Sequence, residues 1–353
     1  YLHDDITKQV NYKRLQYLSP NGLNLKSKIK SGIYTLSRVF GMLYFCTEEM
    51  YNSRSEDMTR YHLESSCCGT SFEDGQWELD CPHKDGAALI FANYANRQFE
   101  VRNDLPGIYK YANWLPICRT LEGSGAPVTY KSEGLAEYLG LSNLYITFNG
   151  YWPERGALMK TGSFKECEAY AVCARINRNS DKIMVVASAG NTARAFGRVC
   201  SENGIPLLLC IPEDNLNAIW ADEPWNDCVK LVCAGAGCDY FDAIHLSNII
   251  CEMEYFFPEG GAKNVARRDG MGTTVLSAVQ EIGRIPDYYF QAVGSGTGAI
   301  AAWEANKRFI ADGRYGSNLM KLIVSQNIPF TLIYDSWKAN SRALVDLDEN
   351  TAR

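Results

Sequence analysis

The sequence has no concentrated run of basic residues and no long apolar run. Its 35 Lys and Arg residues are scattered and the net charge is -6, whereas a nucleic-acid-binding surface is a concentrated positive face. The stretch 32–45 is the most apolar, but Ser37 and Arg38 interrupt it and it is shorter than the roughly 20 residues of a membrane span. We therefore expect a cytoplasmic protein that binds small molecules, with no nucleic acid and no membrane as partners.

A disulfide framework is also missing. The 13 cysteines are odd in number and spread along the chain, without the spacing of a small secreted scaffold, so we expect reduced thiols. What the sequence does have is length and apolar content: 353 residues with 46% hydrophobic residues exceed one typical domain. We expect two packed domains.

Strands and helices alternate after Leu139. A short apolar run at 182–191 leads into a helix-like segment, and Gly204 suits the end of that helix. The same unit of a strand and a helix recurs at 228–253 and at 288–309. This alternation predicts an α/β fold with largely parallel sheets. In such sheets ligands bind where strands lead into helices, so the glycine-rich loops there are candidate sites.

Two of these loops have residues suited to anions. "VGSGTGAIA" (293–301) places three glycines before a helix, but it matches neither the Walker pattern nor G-x-G-x-x-G; a structural turn and a phosphate cradle both remain open. "ASAGNTA" (187–193) offers backbone and side-chain donors at a second helix start, where a plain N-cap is the alternative.

A lysine occupies a third helix start. Lys165, in "KTGSFKECEA" (160–169), has the ordinary interpretation of a solvated surface lysine. Near a helix N-terminus, however, the helix dipole disfavours the ammonium form and favours the neutral amine that attacks a carbonyl. Two anion-binding loops downstream would complete a site for an amino acid and a phosphorylated cofactor.

Together, "TGSFKE", "ASAGNTA" and "GSGTGAIA" resemble the threonine synthase-like branch of the fold type II enzymes that use pyridoxal 5'-phosphate. The resemblance covers about residues 61–340 and is strongest to the cysteate synthases, which join sulfite to L-phosphoserine on the route to coenzyme M. It implies two doubly wound α/β domains of the tryptophan synthase β type, pyridoxal 5'-phosphate as cofactor, a phospho-amino acid and an anionic nucleophile as small-molecule partners, and a homodimer.

The resemblance also implies roles for individual residues. Lys165 corresponds to the lysine that bonds to the cofactor and moves the Cα proton, and Asn191 to the asparagine at the cofactor's ring oxygen. The cofactor phosphate would lie against Gly294, Ser295, Gly296, Thr297 and Gly298. The substrate would be bound by Ser188, Gly190, Thr192, Lys160, Asn264 and Arg267, with Arg268 as an alternative to Arg267.

The sequence departs from the family at both ends. Relatives often carry an N-terminal zinc ribbon with paired C-x-x-C ligands; here Ser65 takes one ligand position, leaving Cys67, Cys68, Cys81 and His83. Because adjacent cysteines are not the usual chelating spacing, we predict no metal, with Cys68, Cys81 and His83 as weak candidates. The family also continues well past the glycine loop, so we expect a truncated C-terminus without the group that faces the pyridine nitrogen.

The resulting domain assignment has four parts. Residues 1–60 are a segment of unknown role, and 61–94 a degenerate zinc-ribbon-like segment. Residues 95–260 form an α/β domain with the Schiff-base lysine, and 261–353 a partial α/β domain with the phosphate loop. The expected activity is β-replacement that converts L-phosphoserine and sulfite to L-cysteate and phosphate. Two alternatives stay open: a threonine synthase acting on O-phosphohomoserine, and an inactive cofactor-binding paralogue.

Overall fold

A five-stranded, mostly parallel sheet is the largest sheet among the residues that the structure describes. The computed structural model describes residues 16–17, 60–75, 77–83, 88–176, 181–328 and 331–341; most of the segment 1–60, whose role the sequence leaves open, lies outside these ranges. The strands are β1 Gln16–Tyr17, β2 Tyr61–Ser65, β3 Ser71–Phe72, β4 Ile90–Tyr94, β5 Val128–Lys131, β6 Tyr145–Phe148, β7 Tyr151–Trp152, β8 Ala157–Leu158, β9 Ile183–Ala187, β10 Leu207–Pro212, β11 Val229–Ala234, β12 Phe256–Pro258, β13 Tyr288–Ala292 and β14 Lys321–Ser325.

Seven α-helices occur in the described residues. They are α1 Glu133–Leu139, α2 Lys165–Arg175, α3 Asn191–Glu202, α4 Tyr240–Cys251, α5 Val265–Ile282, α6 Thr297–Asp312 and α7 Leu332–Lys338. None of them combines the length and the hydropathy that a membrane-spanning helix needs.

The described residues form two compact units. The first contains 16–17 and 181–259, and the second contains 60–176 and 260–341. The division predicted from the sequence and this one share a boundary next to residue 260. They differ for 95–176, which the sequence-based division joins to 181–260 and the structure places in the second unit. There helix α2 packs against α5. The domain assignment from the sequence therefore stays a prediction.

The first unit is built on the sheet with strand order β1-β11-β10-β9-β12. Strands β9 to β12 are parallel and β1 pairs antiparallel at the edge. Strand β10 is buried at every position, as expected for a parallel strand covered on both faces. Helix α4 contributes Ile250 to a core with Val185, Leu208 and Phe256. The alternating strands and helices predicted for 182–253 are confirmed, and Gly204 adopts a positive φ of 62° just after α3.

The second unit centres on helix α5. It packs against α2 and α6, and most of its residues are buried. Around this centre lie the parallel pair β13–β14, the antiparallel pairs β5–β6 and β7–β8, and the antiparallel sheet β3-β2-β4. The stretch 107–116, "GIYKYANWLP", begins with a 3-10 helix that buries Tyr109, Tyr111 and Trp114, so it serves the core of this unit.

Helices α2 and α5 approach closely because α5 carries a glycine at their contact. A Cβ atom on Gly270 would lie 2.5 Å from the backbone oxygen of Cys167 and 2.8 Å from Cβ of Ala171. Both distances are shorter than carbon atoms tolerate. On the opposite side, a Cβ on Gly272 would meet the oxygen of Ala301 at 3.5 Å, which is ordinary contact. The α2–α5 spacing therefore depends on Gly270.

We predict that Gly270→Ala lowers the free energy of unfolding by about 1–3 kcal/mol, because the added methyl group overpacks the contact between the two helices. Gly272→Ala is the matched control: it adds the same methyl group to the same helix without a clash, and the helix propensity of alanine favours it by up to about 1 kcal/mol. Urea denaturation of both variants measures the difference. Equal stability of the two variants would contradict this account of the packing.

Candidate active site

The loop before Lys165 is closed onto the first turn of helix α2. Gly162 takes a φ of +67°, a left-handed conformation that favours glycine. The carboxylate of Glu166 accepts hydrogen bonds from Thr161, 2.9 Å from its backbone N and 2.8 Å from its Oγ1, and Ser163 Oγ accepts from the backbone N of Lys165 at 3.3 Å. These bonds fix Lys165 as the first residue of the helix.

The Lys165 side chain is not a freely solvated one. It is 22% exposed, and Nζ lies 3.2 Å from Oε2 of Glu168, whose side chain is completely buried. The other oxygen of that carboxylate, Oε1, lies 2.8 Å from Nη2 of Arg267, whose side chain is 12% exposed. The structure thus brings together two predicted site residues, Lys165 and Arg267, on one carboxylate.

Sequence reasoning did not single out Glu168. A signal was present, since residues three apart on a helix face the same side, and Glu168 follows Lys165 by three positions. The ion pair between Glu168 and Arg267 could not be inferred from neighbouring residues, because Arg267 lies on helix α5, nearly a hundred residues later in the chain.

Arg268, the alternative anion ligand, forms ion-pair and hydrogen-bond contacts with other parts of the second unit. Its side chain is completely buried, and Nε lies 3.0 Å from Oε2 of Glu304. The same guanidinium donates to the backbone oxygens of Ala262 and Ile90. A guanidinium with these partners holds helix α5 to its neighbours, so of the two adjacent arginines Arg267 is the one placed beside the lysine.

Asn264 and Lys160 lie in different surroundings. Asn264 is completely buried; its Oδ1 caps helix α5 by accepting from the backbone N of Ala266 at 3.0 Å, and it also accepts from Nη1 of Arg175 at 2.9 Å. Lys160 is exposed. The capping bond gives Asn264 a structural function in addition to the predicted contact with substrate, and the substrate contacts of both residues stay predictions.

The glycine loop leads from strand β13 into helix α6. Gly296 is the N-cap residue, with a φ of +79° that favours glycine. Gly294 and Ser295 are exposed, and Ser295 Oγ lies 2.8 Å from Oγ1 of Thr297. Within the described part of the chain, the backbone N–H groups of residues 294–298 donate no hydrogen bond. Open amides at a helix N-terminus are the donors that a phosphate group binds.

The second predicted loop starts helix α3 in the first unit. Ser188 is buried, and its Oγ accepts from the backbone N atoms of Gly190 at 3.2 Å and Ala193 at 3.1 Å, so it pairs with a backbone N–H group in the first turn of α3. Asn191 is exposed, and its Oδ1 accepts from Nη2 of Arg194.

Arg194 also contacts an aromatic side chain. Its guanidinium lies 4.2 Å from the ring centroid of Trp220. Partial burial lowers the pKa of Arg194. Thr192 is half-buried at the start of α3. The roles predicted for Ser188, Gly190, Asn191 and Thr192 stay predictions.

Comparison with known proteins identifies the family. A family model described as "Pyridoxal-phosphate dependent enzyme" matches residues 135–353. The chain belongs to this family of pyridoxal-phosphate dependent enzymes.

Several relatives are identical to this chain at nearly half of the aligned positions. A protein named cysteate synthase from Methanocella arvoryzae is 49% identical over 82% of this chain and 68% of its own length. Proteins of the same name from Methanosarcina mazei and Methanocella paludicola are 45% and 48% identical over 84% of this chain, and over 70% and 69% of their own lengths. A structure of maize serine racemase covers 62% of this chain and 61% of its own, with 14% identity and a TM-score of 0.47; this similarity is too low to support a conclusion.

The second unit contains residues that fit the cofactor of the family. The open amides of residues 294–298 suit its phosphate, and the loop needs the left-handed Gly296 to present them. Lys165 supplies a primary amine at a fixed helix start, partly exposed, as a bond to the cofactor's aldehyde requires. We therefore assign the phosphate to the glycine loop and the covalent bond to Lys165 as predictions for experiment.

We predict that Lys165→Ala abolishes the covalent bond to the cofactor, because the variant lacks the amine. After reduction with sodium borohydride, mass spectrometry of tryptic peptides will find the cofactor mass on the peptide that contains Lys165 in the unmodified protein, and on no peptide in the variant. Lys307→Ala, which removes an exposed lysine from helix α6, is the control and retains the labelled peptide. A label of full intensity in Lys165→Ala would assign the bond to another lysine.

The weak metal candidates form a cluster on the sheet β3-β2-β4. The Sγ atoms of Cys67, Cys68 and Cys81 all lie within 4.8 Å of one another, and Cys68 Sγ lies 3.7 Å from Cys81 Sγ and 3.8 Å from Nδ1 of His83. Hydrogen bonds with Thr70 and His83 lower the pKa of the Cys68 thiol to about 5. The described cysteines are all free thiols. The fold therefore brings the three cysteines together and places His83 beside one of them, Cys68.

Metal analysis of the purified protein tests the sequence-based prediction of a metal-free segment. That prediction is a zinc content well below one per chain, unchanged in Cys81→Ser. Thiolates and imidazole are zinc ligands, so a content near one zinc per chain that falls on replacing Cys81 would contradict it. Cys200→Ser, a buried cysteine of helix α3, is the matched control for general damage to the fold.

Proposed function

We propose that this protein converts L-phosphoserine and sulfite to L-cysteate and phosphate. The observation that carries the proposal is the 44–49% identity to proteins named cysteate synthase over more than four fifths of the chain. The arrangement of Lys165 and Arg267 on one carboxylate supports it, because the reaction needs a base for the amino acid and a cation for an oxyanion.

Lys165 is the acid-base group of the proposed reaction. Bound pyridoxal phosphate supplies an electron-withdrawing ring that stabilises negative charge at Cα of the amino acid. Nζ of Lys165 removes the proton from Cα and later returns a proton to the same atom. Between these transfers the bond from Cβ to the phosphate oxygen breaks and a bond from Cβ to the sulfur of sulfite forms. The proton balance is closed, since Cα loses one proton and regains one.

Arg267 is the proposed ligand of the oxyanions. A guanidinium is charged at all working pH values, and its planar fork matches phosphate and sulfite. Its position beside Lys165 lets one side chain bind the departing phosphate and another move the Cα proton. Phosphoserine and sulfite as the substrates, the homodimer and the cytoplasmic location come from the resemblance of the sequence.

Product analysis with pure substrates tests the proposed function. The protein with bound cofactor is incubated with phosphoserine or phosphohomoserine, each with and without sulfite. We predict phosphate release from phosphoserine and, with sulfite present, cysteate in equal amount by mass spectrometry. Turnover of phosphohomoserine alone would favour threonine synthesis, and no phosphate release from either substrate would favour a cofactor-binding protein without catalysis.

A further inference from the structure

Glu168 is a completely buried carboxylate with a cation on each oxygen. Oε2 lies 3.2 Å from Nζ of Lys165 and Oε1 lies 2.8 Å from Nη2 of Arg267. A buried carboxylate is unfavourable unless it is paired, and removal of one partner leaves an uncompensated charge. Here two cations share this one carboxylate.

The packing of two helices sets these distances. Lys165 and Glu168 lie one turn apart at the N-terminal end of α2, where the helix dipole favours a carboxylate and disfavours an ammonium. Arg267 lies on α5, one turn before Gly270, which has no side chain and so admits the backbone of Cys167. The guanidinium therefore reaches Glu168 because the two helices are in close contact.

Other buried ion pairs among the described residues of the second unit include Arg175–Asp74, Arg268–Glu304 and Arg308–Asp269. They join structural elements, and none of these three pairs includes Lys165. The pairs of Glu168 differ, because their two cations are the lysine that bonds to the cofactor and the arginine assigned to the oxyanion.

The second cation gives the carboxylate a partner besides the lysine. Arginine stays charged, and Nη2 of Arg267 lies 2.8 Å from Oε1 of Glu168. The carboxylate therefore keeps a charged partner that takes no part in the proposed proton transfer.

We propose that Glu168 is a positioning residue, which holds the Arg267 guanidinium beside the Lys165 amine and so sets where the anionic group of the substrate lies relative to the lysine. The proposal rests on the proposed function, because that function assigns Arg267 to an oxyanion. Glu168 itself contacts neither the substrate nor the cofactor in this scheme; it acts through its two partners.

Glu168→Gln in the protein with bound cofactor tests the proposal. Two quantities are measured: kcat and KM for phosphate release from phosphoserine, and the Kd of inorganic phosphate from the visible absorbance of the bound cofactor. We expect KM and the phosphate Kd to rise about tenfold or more, with a smaller fall in kcat, because the Arg267 guanidinium has then lost its ion pair with Glu168 and is held less firmly for the anion. Glu168→Asp keeps the negative charge, and we expect its KM and phosphate Kd to lie between those of Glu168→Gln and those of the original protein.

Glu304→Gln is the matched control. It removes a buried carboxylate from Arg268, the neighbour of Arg267, and we expect it to lower stability while KM and the phosphate Kd stay at their original values. Equal rises in both variants would show a merely structural effect and overturn the proposal. Unchanged phosphate affinity in Glu168→Gln would overturn it as well.

Failure of a variant to fold and failure of the proposed function can each be distinguished from failure of this proposal. If Glu168→Gln does not fold, Glu168→Asp carries the same measurement, and values equal to those of the original protein would overturn the proposal. If the original protein does not turn over phosphoserine, the proposed function fails; the phosphate Kd still tests Glu168, because it does not depend on which amino acid is the substrate.

Discussion

The ion pairs of one buried carboxylate connect the chemistry of this protein to its packing. Glu168 lies one turn into helix α2, and Lys165 and Arg267 each contact one of its oxygens. The stability of a buried carboxylate depends on where its cations lie, because displacement of either cation leaves part of the negative charge uncompensated. The helix contact at Gly270 brings α5, which carries Arg267, close to α2, and the loop closed by Glu166 fixes the start of α2 at Lys165.

The second unit holds the chemical groups at the ends of helices. Lys165 begins α2, Asn264 caps α5, and the glycine loop begins α6. Each N-terminus has backbone N–H groups without partners inside the helix, which favours anions there. A cofactor with a phosphate group and a substrate with a carboxylate and a phosphate are the kind of ligands that such ends bind. Membership of the pyridoxal-phosphate dependent enzymes agrees with this arrangement.

The helices, strands and loop glycines could be predicted from the sequence where neighbouring residues determine them. The strands and helices of 182–253 follow from short apolar runs and helix-like segments, and Gly204 and Gly296 take the left-handed conformations expected of loop glycines. The contacts that join distant segments could not be predicted in this way. Glu168 pairs with Arg267 only because α2 and α5 pack together, and Cys81 reaches Cys68 only through the pairing of short strands. Periodicity carries no information on such partners.

The coupling between Glu168 and Arg267 is the most direct measurement of the central claim. A double-mutant cycle compares the free energies of unfolding of Glu168→Gln, Arg267→Gln and the double variant. Each single change removes one charge of this ion pair and leaves the other in place, whereas the double change removes both charges. The account predicts a coupling energy of about 1–3 kcal/mol, with the double variant more stable than the sum of the single effects. Effects that add to within about 0.3 kcal/mol would contradict it.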